Sequence, residues 1–526
     1  AADLDLSGAI GGSGGLSFNG SGTLGLNGDN AGWSGGLTLG SGTLDLGSTT
    51  ALGTGLLDVT GNANLTTGLA GLDLGNAINL GTGATLGLGG TADLSLSGAI
   101  GGNGGLNFDG TGTLTLGGAN TYLGDTTIAS GTLAVNGSIV STTTIGAGAM
   151  LTGTGSMGDV ILNGALNPGS IGAAGTLTTG SLFMGSGSLL NYDLGVAGVI
   201  GGGGNDLISV NGNLTLDGTL NVVDIGGFGP GVYRLIDYTG ALTNNGLDIG
   251  TVPGPFSTGD LLVQTGVANQ VNLVVDGSGV VQFWDGVNYL PNGSVDGGAG
   301  IWTMGTTNWT NANGTANSGW VGGFAVFQGT GGTVTVVGPV DFSGMQFAGS
   351  GYTIAGGLGG VLNTDEAQTI IRVDPNLTGT ISASIGGTGG LVKNDAGTLV
   401  LSGANTFTGG VDLNAGTLTL GNNLALGTGS LDVLGNANLT TNVAGLDIGN
   451  AINLGSGITL GLGGANDFAL SGMIGGGGGL SFNGTGTLSL AGANTFTGGF
   501  DLFSGTLSLG NASALGTGAL DVLGNA

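Results

Sequence analysis

Of the side chains that carry out chemistry, this sequence has kept one kind. It holds 526 residues with no His and no Cys, which removes imidazole bases, thiolate nucleophiles and nitrogen- or sulfur-rich metal sites. Its cations are Arg234, Arg372 and Lys393, set against 31 acidic residues of which only Glu366 is not Asp. Carboxylates alone remain. Two of them flanking a glycosidic bond can act as acid and base, and several together can hold a hard cation through oxygen. Asp3 and Asp5, two residues apart, would project from one face of a strand. However, aspartates return in a fixed frame: Asp58, Asp432 and Asp521 in LDV, and Asp73 and Asp447 in GLDLGN and GLDIGN. A recurrent acid keeps a repeat soluble, whereas a catalytic site is a singular departure from one. No catalytic residue is assigned, and the chain is read as a non-enzyme.

Two singular features stand out. GGGGNDLIS at 201–209 fits the calcium-binding pattern G-G-x-G-x-D-x-U-x. That nonapeptide works in tandem, because each ion is shared between turns, and here it is followed by an ordinary strand pattern. Asp206 is therefore read first as a turn residue and second as a calcium candidate. No cofactor is expected beyond calcium held at the surface by the aspartate rows. The second feature is aromatic: Trp284, Trp302, Trp309 and Trp320 fall within 37 residues, with Phe283 and Tyr289 among them. They form either a small core where a repeat is interrupted, the reading preferred, or a platform for a glycan or protein partner formed by the four tryptophans and Tyr289.

The elements that must position these residues follow from composition. Gly 128 and Pro 7 would suit an unfolded tract. But hydrophobic residues reach 40%, charged ones only 6%, and mean hydropathy is +0.41, which opposes disorder. A net charge of −28 without a basic patch excludes nucleic acid and anionic membrane surfaces as partners. No apolar stretch reaches the ~18–20 residues of a membrane helix.

The chain is also periodic. GTL recurs 19 residues apart at Gly112 and Gly131, at Gly397 and Gly416, and at Gly486 and Gly505; at Gly22 and Gly42 the spacing is 20. Between the members of each pair lies a corner: Asn120-Thr121-Tyr122, Asn405-Thr406-Phe407, Asn494-Thr495-Phe496, with Trp33 in the corresponding place. A longer unit from Leu57 returns from Leu431, and Asp3 and Asp93 open near-identical decapeptides. Leu and Val alternating with Thr, Ser and Asp over four to six residues predict strands. A 20-residue period with two or three strands predicts stacked coils that share one core. The expected fold is all-β, a right-handed parallel β-helix or β-solenoid with a repeat-breaking central segment. At about 4.8 Å per coil, some 25 coils would make a rod on the order of 120 Å. Corner aromatics such as Phe407 are placed to stack into a ladder, and asparagines on successive coils into amide ladders. The divisions expected are 1–137 repeats, 138–275 a divergent continuation, 276–375 the Trp-rich break, and 376–526 repeats again. Both ends fall inside a unit, so the polypeptide is expected to continue in both directions.

The stretches 397–418, 486–507 and 112–133, and more loosely 22–44, resemble the β-strand repeat of bacterial autotransporter passenger regions, GTLTLSGANTYTGGTTINAGTL. Segments 231–250 and 282–336 are similar to others common in the same large proteins. The resemblance implies an exported β-helix with a signal sequence and an outer-membrane barrel encoded elsewhere, so this segment itself inserts into no membrane. It also gives the absence of Cys a reason, since a premature disulfide would obstruct passage through a pore. The expected role is an extracellular structural or adhesive fibre at the bacterial cell surface, self-associating or joining other matrix components. The alternative is an adhesin that binds host or glycan ligands through the Trp-rich segment, and further behind is a polysaccharide-active enzyme.

Overall fold

The computed structural model describes residues 3–275, 281–364 and 367–524. Apart from one 3-10 turn at Thr258–Asp260, its regular elements are strands, and these stack as a parallel β-solenoid of about 24 turns of roughly 21 residues. Each coil pairs with the next so that leucine falls on leucine, with shifts of register at the glycine corners of strands such as Leu16–Leu26 and Gly479–Leu490. Leu24 pairs with Leu44 and Leu44 with Leu65; Leu399 pairs with Leu418 and Leu418 with Leu439. Alternation does the sorting. In Leu37–Leu46 the Leu side chains are buried while Thr38 and Asp45 are not. Each buried Leu contributes roughly 1.5–3 kcal/mol, and stacking is what buries it, because one coil has no second layer of its own.

The stack is interrupted near the start of the expected repeat-breaking segment. Among the described residues no strand pairing crosses 276–280: the sheets before that point and those after it are separate. Their cores are separate too, one drawn from residues 24–275 and the other from 284–514. The first body ends in antiparallel strands, Gly231–Tyr238, Gln270–Val275 and Leu261–Gln264. The second begins with another antiparallel set, Val281–Trp284, Trp309–Thr310 and Asn317–Ser318. Antiparallel pairing lets a short turn close the end of a coil stack, where a parallel strand would leave an open edge.

Trp33, Tyr122, Phe407 and Phe496 are buried, but the expected ladder does not form. A glycine of the following coil covers the ring instead: Gly427, with φ 65°, would place a Cβ 3.0 Å from Phe407 Cδ2. The ring already fills the space that a second aromatic would need. Amide rungs do occur, with Asn221 donating to Asn191 at 3.0 Å and Asn414 to Asn394 at 2.7 Å. Others run from Asn to Asp, as Asn79 to Asp58 at 2.7 Å.

Candidate functional site

The corner asparagine is a repeated polar device. Asn405 Oδ1 accepts the Ile385 N–H of the preceding coil at 2.9 Å, and its Nδ2 donates to Ala425 O of the following coil at 2.6 Å. Asn30 and Asn494 do the same, between Ile10 and Ala51 and between Ile474 and Ala514. Asn120 accepts from Ile100 and turns its amide to Gly118 O. All four are buried. Sequence reasoning gave this position to a turn; each side chain is in fact an interior staple, three of them spanning three coils. Its signal is the Ala-Leu-Gly that follows one coil later, which brings a bare carbonyl within reach.

A second repeated corner has one exception. In GGLSFNG, GGLNFDG and GGLSFNG, the residues Phe18, Phe108 and Phe482 lie below the GTL glycines Gly42, Gly131 and Gly505, all with φ between 71° and 82°. Ser41, Ser130 and Ser504 donate to the carbonyls of Gly20, Gly110 and Gly484. The fourth copy reads GGLVKND, so Lys393 stands in place of Phe, Asp395 in place of Gly, and Ala415 in place of Ser. Lys393 is fully buried in the inward ladder between Ile371 and Leu413. Its Nζ donates to Asn394 O at 2.6 Å and Asp395 O at 2.7 Å, with Ala415 O at 3.4 Å. The amine supplies the donors that serine supplies elsewhere. Burial lowers its pKa to about 8, against the pull of Asp395.

Asp206 is buried, and both its oxygens are engaged: Oδ1 accepts Gly175 N–H and Oδ2 accepts Asp193 N–H, each at 2.7 Å. Burial raises its pKa to about 7. Asn205 beside it accepts Gly195 N–H and donates to Val196 O and Val199 O. The nonapeptide thus ties two loops together, with its acidic side chain turned inward.

Trp284, Trp302, Trp309 and Trp320 are at most 2% exposed. Their rings pack edge to face or tilted at 4.4–5.2 Å, around Phe327. Trp284 Nε1 donates to Gly298 O and Trp320 Nε1 to Asp341 O. An aromatic platform needs open ring faces, and these four have none: they seal the start of the second core. Of the five residues expected at that platform, Tyr289 alone faces solvent, at 48% exposure, between Val287 at 67% and Leu290 at 78%.

The two bodies meet through the closing strands of the first. Val232 and Val274, opposite one another on the closing strands of the first, pack on Phe283, Phe324 and Val326 of the second. Gln264 donates to Ala312 O and to Gln328 Oε1. Val232 N–H donates to Gln346 Oε1 at 2.9 Å, and Arg372 to Ala197 O at 2.9 Å. Among the described residues no cluster of three acidic side chains is arranged to hold a metal. A surface groove of about 670 Å³ is lined by Asn64, Asn107, Asp125, Thr127 and several glycines.

A stack of parallel coils, closed at an internal end by aromatic mass, defines the class: a repeat-built β-solenoid. Residues 109–135, 391–420 and 483–512 match the passenger-associated-transport-repeat family, which bears out the resemblance of these stretches to an autotransporter passenger repeat. Over 307 residues the chain is 45% identical to the adhesin BmaC autotransporter of Brucella suis biovar 1 (strain 1330). That match covers 54% of this chain and 9% of the relative, so the chain spans less than a tenth of the protein it resembles.

Proposed function

We propose that this chain is a segment of a non-enzymatic, surface-displayed adhesive fibre, carried outside the cell by an outer-membrane barrel belonging to the same polypeptide. The observation that carries the reading is the kinship of this repeat-built solenoid with a protein named as an adhesin. The chemistry agrees with it: without His or Cys, and with most of its aspartates unburied, the chain offers surface and length rather than a reaction centre. The test is display of this segment on a non-adherent bacterium. Attachment to surfaces or host cells above that of the barrel alone supports the reading. Efficient display without attachment, or depolymerisation of an acidic polysaccharide, would reject it.

A narrower version places the contact on the Trp-rich segment, through the exposed loop of Val287, Tyr289 and Leu290 rather than the tryptophans. Exchanging those three for Ser leaves the core untouched. Loss of attachment with an unchanged melting profile is expected if the loop is the contact. Self-association into filaments or matrix is the other version, and electron microscopy of the released segment separates the two.

A further inference from the structure

The cations of this chain are three, and all three stand at the meeting of the two bodies. Arg372 lies on Gln368–Val373 and Lys393 on Gly390–Asn394, which are neighbouring strands of the second body. Arg234 lies on Gly231–Tyr238, the closing strand of the first, paired with Asp237. Two buried carboxylates face them. Asp374 Oδ1 accepts from Gln346 Nε2 at 2.8 Å, and Asp395 Oδ1 accepts from Arg372 at 3.3 Å. Both reach the same spot on the first body: a Cβ at Gly198 would lie 2.8 Å from Asp374 Oδ1 and 2.8 Å from Asp395 Oδ2. Gly198 has φ 81° and donates to Val232 O, so only glycine fits there. Asp395 Oδ2 and Arg372 Nε have no partner. This corner is also the repeat copy in which Phe, Gly and Ser gave way to Lys393, Asp395 and Ala415, so the departures from the repeat converge on the docking surface.

We propose that this joint is a proton-operated clamp: Asp374 and Asp395, pressed together under Gly198, hold the two solenoid bodies tightly when protonated and loosen them when ionised. The geometry sets the direction. Asp395 has one guanidinium N–H and Asp374 one amide N–H, while the Lys393 amine is committed to backbone carbonyls. Ionising both carboxylates therefore places two anions against each other in a dry site with one cation in hydrogen-bond reach.

Burial first, with the charge of Asp395 adding to it, raises Asp374 to about 7 against the hydrogen bond from Gln346; burial raises Asp395 to about 6 against the pull of Arg372 and Lys393. Values raised in the closed joint mean that closing takes up protons. The stabilisation is complete below the ordinary carboxylate value of 3.8 and is lost as pH rises through 6 to 7. Lys393, lowered by burial to about 8, begins to lose its charge only at the top of this window, and Tyr233, raised by burial to about 12, is neutral throughout it. Asp224 and Asp237 flank the closing strand of the first body. The clamp thus tightens from pH 8 to pH 5.

Hydrogen exchange of the whole chain, corrected for its intrinsic pH dependence, reads the clamp at the amide of Val232, which donates across the joint to Gln346 Oε1. Opening should increase about tenfold per pH unit for each proton released between pH 5.5 and pH 7.5. The D374N/D395N variant, neutral at every pH, should exchange slowly and without that slope. Gly198→Ala should open the joint at all pH values while leaving exchange in the coils at 411–490 unchanged. A wild-type joint with no pH slope overturns the proposal, and so does a D374N/D395N chain that keeps the wild-type slope. If that double variant fails to fold, the wild-type slope and its loss in Gly198→Ala decide alone.

Discussion

At the scale of single residues, this fold depends on a few polar atoms placed where alternation alone would put hydrocarbon. Asn405 satisfies one buried N–H and one buried carbonyl on different coils. Asn405→Ala should therefore lose about 1–3 kcal/mol for the groups left unpaired, with a lower denaturant midpoint for the second body. The Lys393 corner makes a sharper case. Lys393→Phe restores the commoner side chain but orphans the carbonyls of Asn394 and Asp395, whereas adding Ala415→Ser should return a donor, as Ser41, Ser130 and Ser504 provide elsewhere. The double variant should be more stable than the sum of its singles by at least about 0.5 kcal/mol in a double-mutant cycle. An additive result would break the assigned equivalence of amine and hydroxyl. Alternation in TLVL and LDV made the inward leucines legible from sequence. It could not reveal the staple in GANTF, because an Asn in a glycine-rich corner has the same signature whether it faces water or the next coil.

At the scale of elements, the parallel strands were readable from their period, and the closing pieces were not. A strand such as Leu399-Val400-Leu401 announces itself by what lies 19 and 20 residues away. The antiparallel strands at 231–238 and 270–275 have no such echo, and their pairing is set by tertiary contact. The four tryptophans were visible as a cluster, but their side of the backbone was not, since residues 282–320 carry no alternation to orient them. Their burial implies a specific cost. Trp309 touches Trp284, Trp302, Trp320 and Phe327, so Trp309→Ala should cost about 3–5 kcal/mol, as large-to-small changes in packed cores do. Tyr289→Ser, at a half-exposed position, should stay within about 0.5 kcal/mol. Thermal unfolding of the two variants side by side separates core from surface within one short segment.

At the scale of the whole molecule, two stacks with separate sheets and separate cores should not melt as one unit. In a solenoid each coil is coupled to its neighbours, and among the described residues no strand pairing carries that coupling across 276–280. Calorimetry should show two transitions, and Trp309→Ala should shift one of them alone. The cations give an independent probe of the same division. A protease that cuts after Lys and Arg has three sites in 526 residues, Arg234, Arg372 and Lys393. All lie in paired strands at the joint, and two of the side chains are at most 4% exposed. Cleavage of the folded chain must therefore wait for the joint to open locally, so its rate follows the population of the opened form when reclosing is fast. Trypsin should leave the native chain intact over times that reduce the unfolded chain to four fragments. Where slow native cleavage occurs, the first cuts should fall at Arg234 and Arg372 together, since separating the bodies exposes both strands at once. A first cut at Lys393 would mean that the inward ladder of the second body opens before the joint does, and would place the weakest point inside a coil stack rather than between the two.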